Sequence, residues 1–234
     1  MVSRRTGLEN RQDVDRVIAF VGMSGSGKST LTRRLFSGET PQIQEQLGID
    51  FSSGWNLLLN RKGGGIGNQR RVQVRNLEHL SMHQSKLQST PRIRHVVVHC
   101  DFTTLQLEGA GLAQDPRFDD LSLFARARRV DVIVLVAPRQ ELVDRAGSRQ
   151  GEILRSGFTL RRNPAVVVKK WNKHRRKKMI NADPRRIVQA YTDWFSYLQA
   201  YPEASSFLAI SDGPVVEPLA PIDSVDPILD AALA

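Results

Sequence analysis

The chain has little cysteine and no long apolar run, and each shortage excludes a class of protein. Its 234 residues include one cysteine, Cys100, so no disulfide can form within the chain. Its apolar runs are a handful of residues long, far below the roughly 20 residues that a membrane-spanning helix needs. Residues 1–15 lack the apolar core segment of a secretory signal. We therefore expect a soluble, cytoplasmic protein that does not enter a membrane.

The chain also has fewer acidic residues than basic ones. The chain has 34 lysines and arginines against 24 aspartates and glutamates, a formal net charge of +10. A charge of this size favours anionic ligands, nucleic acid or an acidic surface. Two clusters hold much of it, one around Trp171 and one around the glycines of residues 63–67. The first consists of Lys169, Lys170, Lys173, His174, Arg175, Arg176, Lys177 and Lys178, and the second of Arg61, Lys62, Arg70, Arg71 and Arg75.

Short apolar runs alternate with helix-like stretches along most of the chain. The predicted strands are residues 17–21, 72–74, 94–101, 130–136, 165–168 and 207–210, and the predicted helices are residues 30–36, 77–87, 119–129, 139–154 and 184–200. This alternation predicts an α/β fold, a doubly wound parallel sheet with helices on both faces. Such sheets bind their ligands across the carboxyl ends of the strands.

The length and a hydrophobic content of 40% allow one substantial domain. We expect it to span residues 1–213, with residues 139–183 forming a basic lid or insertion. Several prolines in residues 214–234 predict an extended surface segment there. Residues 41–91 show only a weak pattern, and their role stays open.

The most specific signal is a glycine-rich segment directly after the first predicted strand. Residues 22–29 fit the pattern G-x-x-x-x-G-K-[ST] at every fixed position. Average amino-acid frequencies give such a match by chance in roughly one chain of this length in a hundred. The segment therefore predicts a loop that binds nucleotide phosphates. Its predicted binding residues are Gly22, Ser24, Gly25, Ser26, Gly27, Lys28, Ser29 and Thr30.

The residue types in this segment suit that chemistry. The glycines allow successive backbone N–H groups to turn inward around a phosphate, and the helix that follows points its positive end at the same place. Lys28 adds a mobile charge that can bridge the β- and γ-phosphate oxygens. The Ser29 hydroxyl suits the coordination shell of a Mg²⁺ ion between them.

Asp101 is the second candidate, because it ends a predicted buried strand beside the glycine-rich segment. A carboxylate there can order Mg²⁺ or accept a proton from an attacking hydroxyl. A structural alternative stays open, in which Asp101 caps the turn at Thr103 or Thr104.

Three arginines form the third candidate group, Arg139, Arg145 and Arg149. Arg145 and Arg149 are four residues apart on a predicted helix and share a face, so both can reach one polyphosphate. The alternative is a solvated helix face on which Glu141 and Asp144 balance the charge.

Together, the glycine-rich segment, the strand that ends at Asp101, and the strand 132–136 with its arginine-bearing helix resemble the nucleoside and small-molecule kinase branch of the P-loop NTPases. The resemblance covers residues 16–155 and the strand at 207–210. It implies a phosphotransferase that uses ATP and Mg²⁺ and moves the γ-phosphoryl group to a hydroxyl or phosphate acceptor. The implied catalytic residues are Lys28, Asp101, Arg145 and Arg149, and the implied metal ligands are Ser29 and Asp101.

The resemblance also implies that adenine rests on residues 211–214 and that Asp50 meets the acceptor. Residues 48–54 match no acceptor motif, so the acceptor is open. A polynucleotide end would suit both the glycine-rich segment and the basic cluster.

Three other functions remain as alternatives. A regulatory GTPase would need D-x-x-G after the strand that ends at Asp101 and N-K-x-D after a later strand, but the second segment here begins Asn172-Lys173 and has no aspartate. A sulfotransferase shares the sheet and the loop, and the aromatic residues of the helix at 184–200 would suit its acceptor side. A nucleic-acid-binding ATPase or nucleotide switch is supported by the basic cluster around Trp171, where a base could stack.

Other polar candidates fit structural roles better. His95 and His99 share a strand face without a third metal ligand, and Cys100 cannot be activated by His99 because adjacent strand residues point to opposite faces. Tyr191, Trp194, Leu198 and Tyr201 recur at helical spacing, which favours packing over an acceptor pocket.

Overall fold

A computed structural model describes residues 14–48, 55–59, 71–74, 93–107, 127–159, 163–198, 204–211 and 218–234. Its strands are β1 (Val14–Gly22), β2 (Trp55–Leu59), β3 (Arg71–Val74), β4 (Ile93–Asp101), β5 (Ala127–Val136), β6 (Ser205–Ile210) and β7 (Ala220–Pro221). Its helices are α1 (Lys28–Ser37), α2 (Pro41–Leu47), α3 (Phe102–Leu107), α4 (Arg139–Thr159), α5 (Pro164–Ala182), α6 (Pro184–Leu198) and α7 (Asp226–Leu233).

The fold is a mixed α/β fold built on one open, mostly parallel sheet. The strand order is β3-β2-β4-β1-β5-β6-β7, and β7 alone is antiparallel to its neighbour in the described sheet. β1 lies between β4 and β5, and Gly22 at its end is in register with Asp101 at the end of β4. The predicted parallel sheet is therefore confirmed, and the carboxyl ends of the central strands meet at one edge.

Alternate residues of β1 belong to two separate hydrophobic clusters. Val17, Ala19 and Val21 pack with side chains of α4, α6 and α7, whereas Ile18 and Phe20 pack with side chains of α1 and α2. Successive strand residues point to opposite faces, so helices cover both faces of the sheet centre. This double burial explains why residues 17–21 of β1 and residues 132–136 of β5 are continuous apolar runs without a polar alternation.

The prediction of a strand at residues 165–168 is wrong, because these residues lie in α5. The Asn163 side chain accepts a hydrogen bond from the Ala165 N–H at 2.9 Å, and Pro164 occupies the first helical position. Three successive valines favour a strand in isolation. The capping asparagine and the proline after it start a helix instead.

Two further predictions need correction at their ends. Residues 127–129, expected in a helix, begin β5. Residues 226–233, expected in an extended segment, form α7, which buries Ile228 and Ala232 in the core cluster. The predicted helix at 77–87, Asp50, Tyr201 and residues 212–214 lie outside the described part of the chain.

A buried ion pair joins the amino-terminal halves of β1 and β5, away from the glycine-rich segment. Arg16 donates to Asp131 at 2.5 Å, and Arg129 donates to the other oxygen of the same carboxylate at 3.0 Å. Burial lowers the pKa of Arg16, and the attraction of Asp131 opposes that shift. The site described below therefore lies at the other end of the sheet from this pair.

Within the described residues, none of the helices combines the length and the apolar character needed to cross a bilayer.

Candidate functional site

Residues 22–27 form a tight glycine-rich loop between β1 and α1. Gly22, Gly25 and Gly27 have φ angles of 146°, 100° and 87°, which side chains other than glycine rarely adopt. A Cβ atom on Gly22 would lie 2.2 Å from the Leu135 carbonyl oxygen, and one on Gly27 would lie 3.2 Å from the Ser211 hydroxyl. The backbone angles therefore favour glycine at all three positions, and the surrounding space excludes a Cβ atom at Gly22.

Lys28 begins α1 and folds back over the loop. Its ammonium donates hydrogen bonds to the carbonyl oxygens of Gly22 at 2.8 Å and Met23 at 2.7 Å, and to the Ser26 hydroxyl at 3.4 Å. The side chain is buried, and the positive end of the α1 dipole is directed at the same loop. The loop thus concentrates positive charge at the carboxyl edge of the sheet, and the contact of Lys28 with phosphates stays a prediction.

Asp101 lies beside the loop, and a lysine from α5 reaches it. The Lys177 ammonium donates to the Asp101 carboxylate and to the Ser24 hydroxyl, both at 2.9 Å. The Lys177 side chain is 3% exposed, whereas that of Asp101 is 29% exposed. Asp101 is therefore already charge-balanced by a protein cation in this structure.

Ser24 is also held through its backbone by α3 and α5. Its N–H donates to the Thr103 hydroxyl at 2.8 Å, and its carbonyl oxygen accepts from the Asn181 amide at 2.8 Å. The Thr103 hydroxyl donates in turn to the Asn181 side-chain oxygen at 2.8 Å. These contacts fix the loop conformation from the side of the sheet that carries α5.

Sequence reasoning missed the inward role of Lys177 and Asn181, because it treated residues 169–178 as one basic run. The available signal was their spacing. Lys177 and Asn181 are four residues apart on a helix, so they share a face. They are the buried polar residues of α5. Recognising this face required α5 to be identified as a helix first.

Arg145 bridges the loop and the residue that follows β6. Its guanidinium donates to the Gly25 carbonyl oxygen and to the Ser211 hydroxyl, both at 2.7 Å, and also contacts the Ser211 carbonyl oxygen and the Glu141 carboxylate. The side chain is 30% exposed. The structure therefore places Arg145 at the loop, in contacts with protein groups.

The other two arginines of the candidate group lie differently. Arg139 donates to the Ala182 carbonyl oxygen at 3.1 Å, so it joins the start of α4 to the end of α5. Arg149 is exposed to solvent. The shared contact of Arg145 and Arg149 with one polyphosphate thus stays a prediction.

The oxygen groups near the loop suit a magnesium ion better than a metal that needs a full protein cage. Ser29 is exposed in the first turn of α1, and Asp101 supplies one partly exposed carboxylate. In the described part of the chain, no cluster of three or more histidine, cysteine, aspartate or glutamate side chains could hold a metal. Mg²⁺ fits one or two protein oxygens because it takes its other ligands from phosphates and water.

Two aromatic residues of α6, Tyr191 and Trp194, are part of the core. Tyr191 and Trp194 are fully buried and Leu198 is buried, which confirms the packing interpretation. Burial raises the pKa of the Tyr191 hydroxyl, which donates to the Leu135 carbonyl oxygen at 3.0 Å. These side chains are thus unavailable to an acceptor pocket of the kind expected for a sulfotransferase.

The regulatory GTPase alternative required an N-K-x-D segment directly after a strand, and the structure does not have one at Asn172. Asn172 and Lys173 lie within α5 and do not follow a strand. A loop beyond a strand end is where such a motif would meet a base bound at the carboxyl edge of the sheet.

No protein-family model, curated protein or solved structure was found to match this chain.

Proposed function

We propose that this protein is a phosphotransferase that uses ATP and Mg²⁺ and moves the γ-phosphoryl group of ATP to a hydroxyl or phosphate acceptor. The observation that carries the proposal is the glycine-rich loop at the end of β1, with three left-handed glycines and the Lys28 ammonium folded over it. Loops of this shape at a helix N-terminus bind phosphates through inward N–H groups. We further propose that the sheet is the doubly wound sheet of the P-loop kinases.

Lys28 is the cation best placed to follow the transferred group. Two of its present partners are backbone carbonyl oxygens, which an incoming phosphate oxygen can replace because both accept hydrogen bonds from the same ammonium. The exchange brings a positive charge to the β- and γ-phosphates without unfolding the loop. The charge that develops during transfer is then stabilised by a group already held in the site.

Asp101 has two chemical uses in this proposal. It can hold the metal, or it can accept the proton of the attacking hydroxyl. Ser29 and Asp101 are the residues that would hold Mg²⁺, and the ion would neutralise phosphate charge when bound. In either role Asp101 must give up its ion pair with Lys177 for the metal or the proton. The chemistry of Asp101 therefore depends on Lys177.

Arg145 has a positioning role and a proposed charge-neutralising role. Its contacts with Gly25 and Ser211 hold the loop against the chain after β6. The partly exposed guanidinium retains access to the edge of the sheet where phosphates would lie. Arg149 would contribute only if α4 approaches the bound nucleotide, as a lid does.

Isothermal calorimetry tests the proposal directly. ATP, GTP and 3′-phosphoadenylyl sulfate are titrated with and without Mg²⁺ into the unmodified protein and into two variants, Lys28→Ala and Arg33→Ala. Arg33 is an exposed cation of the same helix and serves as the control. The proposal expects ATP to bind best, with Mg²⁺ dependence, and Arg33→Ala to bind it within about twofold of the unmodified protein.

Phosphoryl transfer is then measured with a panel of acceptors, including nucleosides, sugars and oligonucleotide ends. Lys28→Ala should lower turnover by about two orders of magnitude or more while the circular dichroism spectrum stays unchanged, because the lysine acts mainly on the transition state. Unchanged turnover in that variant would refute the assignment. Tight binding of the sulfonate donor without metal would move the protein to the sulfotransferases.

A further inference from the structure

The helix α5 is basic along its middle and contains no acidic residue. Its 19 residues run from Pro164 to Ala182. The cations are Lys169, Lys170, Lys173, Arg175, Arg176, Lys177 and Lys178, together with His174. Lys177 alone among them is buried, at the site described above. The remaining charge therefore belongs to the outer and flanking faces of the helix.

This charge pattern opposes helix formation. Like charges three or four residues apart destabilise a helix by about 0.2–0.5 kcal/mol per pair, and α5 has several such pairs, Lys169 with Lys173 and Lys173 with Arg176 among them. Packing against α4 and the cap at Asn163 offset that cost in the protein alone. A bound polyanion would remove the repulsion, so the sequence is better matched to a negatively charged partner than to water.

The exposed part of α5 also contains an aromatic ring beside a guanidinium group. The Arg175 guanidinium lies over the Trp171 ring, 5.8 Å from its centroid, and Trp171 is only partly buried. Arg175 itself is exposed, as are Lys169 and Arg176 elsewhere on the solvent-facing side of α5. An aromatic ring and a guanidinium plane among lysines and arginines form a surface that unpaired bases stack on while the charges hold phosphates.

An anionic membrane is a weaker match for the same helix. The large exposed apolar side chains of α5 are Val166 (45%), Val168 (55%) and Met179 (64%), which lie near its two ends. The cations lie between them. A membrane-surface helix needs a continuous apolar face along its length, and α5 does not present one to solvent.

We propose that the outer face of α5 binds single-stranded nucleic acid. The phosphates contact Lys169, Arg175 and Arg176, and a base stacks at Trp171. This interface does not depend on the nucleotide function proposed above, since its residues lie outside the glycine-rich loop. It would also supply a polynucleotide end as one class of phosphoryl acceptor.

Fluorescence anisotropy with a labelled oligonucleotide of about 15 unpaired nucleotides tests this interface without any nucleotide present. Three proteins are compared at about 50 and 200 mM KCl, namely the unmodified chain, Lys169→Gln/Arg176→Gln, and the control Arg185→Gln/Arg186→Gln. Both double variants remove the same charge, and Arg185 and Arg186 are exposed at the start of α6. The α5 variant should weaken binding roughly tenfold and reduce the slope of log K against log salt by about 1.4, since each phosphate contact contributes about 0.7.

The control should change the affinity by less than about twofold. Trp171→Ala, which keeps every charge, should weaken binding by at least about fivefold through lost stacking. Equal weakening by both double variants would overturn the proposal, because it would mean general attraction to a basic protein. Absence of binding at low salt, tighter binding to duplex DNA of equal length, or tighter binding to anionic phospholipid vesicles would each overturn it as well.

Discussion

At the scale of single residues, the carbonyl oxygen of Leu135 joins the glycine-rich loop to the core. It would lie only 2.2 Å from a Cβ atom on Gly22, and it accepts the hydrogen bond of the buried Tyr191 hydroxyl. Leu135 is in β5, which pairs directly with β1. The shape of the loop is therefore fixed by backbone of the neighbouring strand and by a side chain from α6.

Gly22→Ala should unfold the protein or abolish phosphate binding by the loop. The new Cβ would lie 2.2 Å from a backbone oxygen that cannot easily move. We expect a loss of at least about 3 kcal/mol in the free energy of unfolding. Gly38→Ala is the matched control, since Gly38 has a φ of 78° but nothing within 4 Å of the added Cβ. It should lose about 1 kcal/mol from backbone strain alone. Urea denaturation of both variants measures the difference, and equal losses would show that crowding at Leu135 is unimportant.

Tyr191→Phe should change the way stability depends on alkaline pH. The hydroxyl titrates near pH 10 in the unfolded chain, and burial raises its pKa in the folded protein. The protonated form is thus favoured by folding, so this stability is present below about pH 10 and is lost as pH rises above it. Near pH 8 the variant should be about 1 kcal/mol less stable, from the lost hydrogen bond to Leu135.

At about pH 11 the difference between the two proteins should shrink or reverse, because only the unmodified chain must keep a buried phenol protonated. Urea denaturation at both pH values provides the comparison. A constant difference would mean that the Tyr191 hydroxyl ionises equally well in the folded and unfolded chains.

At the scale of elements, α7 is part of the core although its segment is rich in proline. Ile228 is fully buried in the same cluster as Trp194 of α6 and Val132 of β5. Ile228→Ala should cost about 2–5 kcal/mol, as truncation of a buried aliphatic side chain does. Leu233→Ala, at a position that is 42% exposed, should cost less than about 0.5 kcal/mol. Thermal denaturation of the two variants distinguishes a core helix from a loosely attached tail.

The sequence predicts the elements whose signals are local. The glycine-rich loop, the apolar strands β1, β4 and β5, and the parallel sheet follow from motif and hydrophobic pattern. The valines of α5 were interpreted as a strand because propensity was weighed without the cap at Asn163. The contact of Lys177 with Asp101 joins residues 76 positions apart, so only the packed structure can reveal it.

At the scale of the whole molecule, α5 links the two proposed sites through opposite faces. Lys177 neutralises Asp101 on the inner face, and the outer face carries the exposed cations. A magnesium ion that binds Asp101 must compete with the Lys177 ammonium for the same carboxylate. The metal ion and Lys177 of α5 therefore compete, and each weakens the binding of the other to Asp101.

Lys177→Met should lower the Mg²⁺ concentration needed for half-maximal ATP binding. Removal of a competing charge worth about 1 kcal/mol corresponds to roughly a fivefold change. Lys178→Met, at the adjacent and less buried position, should stay within about twofold. Calorimetric ATP titration at a series of Mg²⁺ concentrations gives both values. A higher Mg²⁺ requirement in Lys177→Met would contradict competition and would mean that the lysine helps the metal to bind.

The position of β1 in the sheet has a consequence for biosynthesis. β1 is translated before both of its partners, β4 and β5, and the loop at its end depends on Arg145, 120 residues after Gly25, and on Ser211, 66 residues later still. A domain emerging from the ribosome cannot make such contacts until the partners have also been released. The loop acquires its final shape only late in translation, and a nascent chain truncated before Ser211 lacks the residue that closes it.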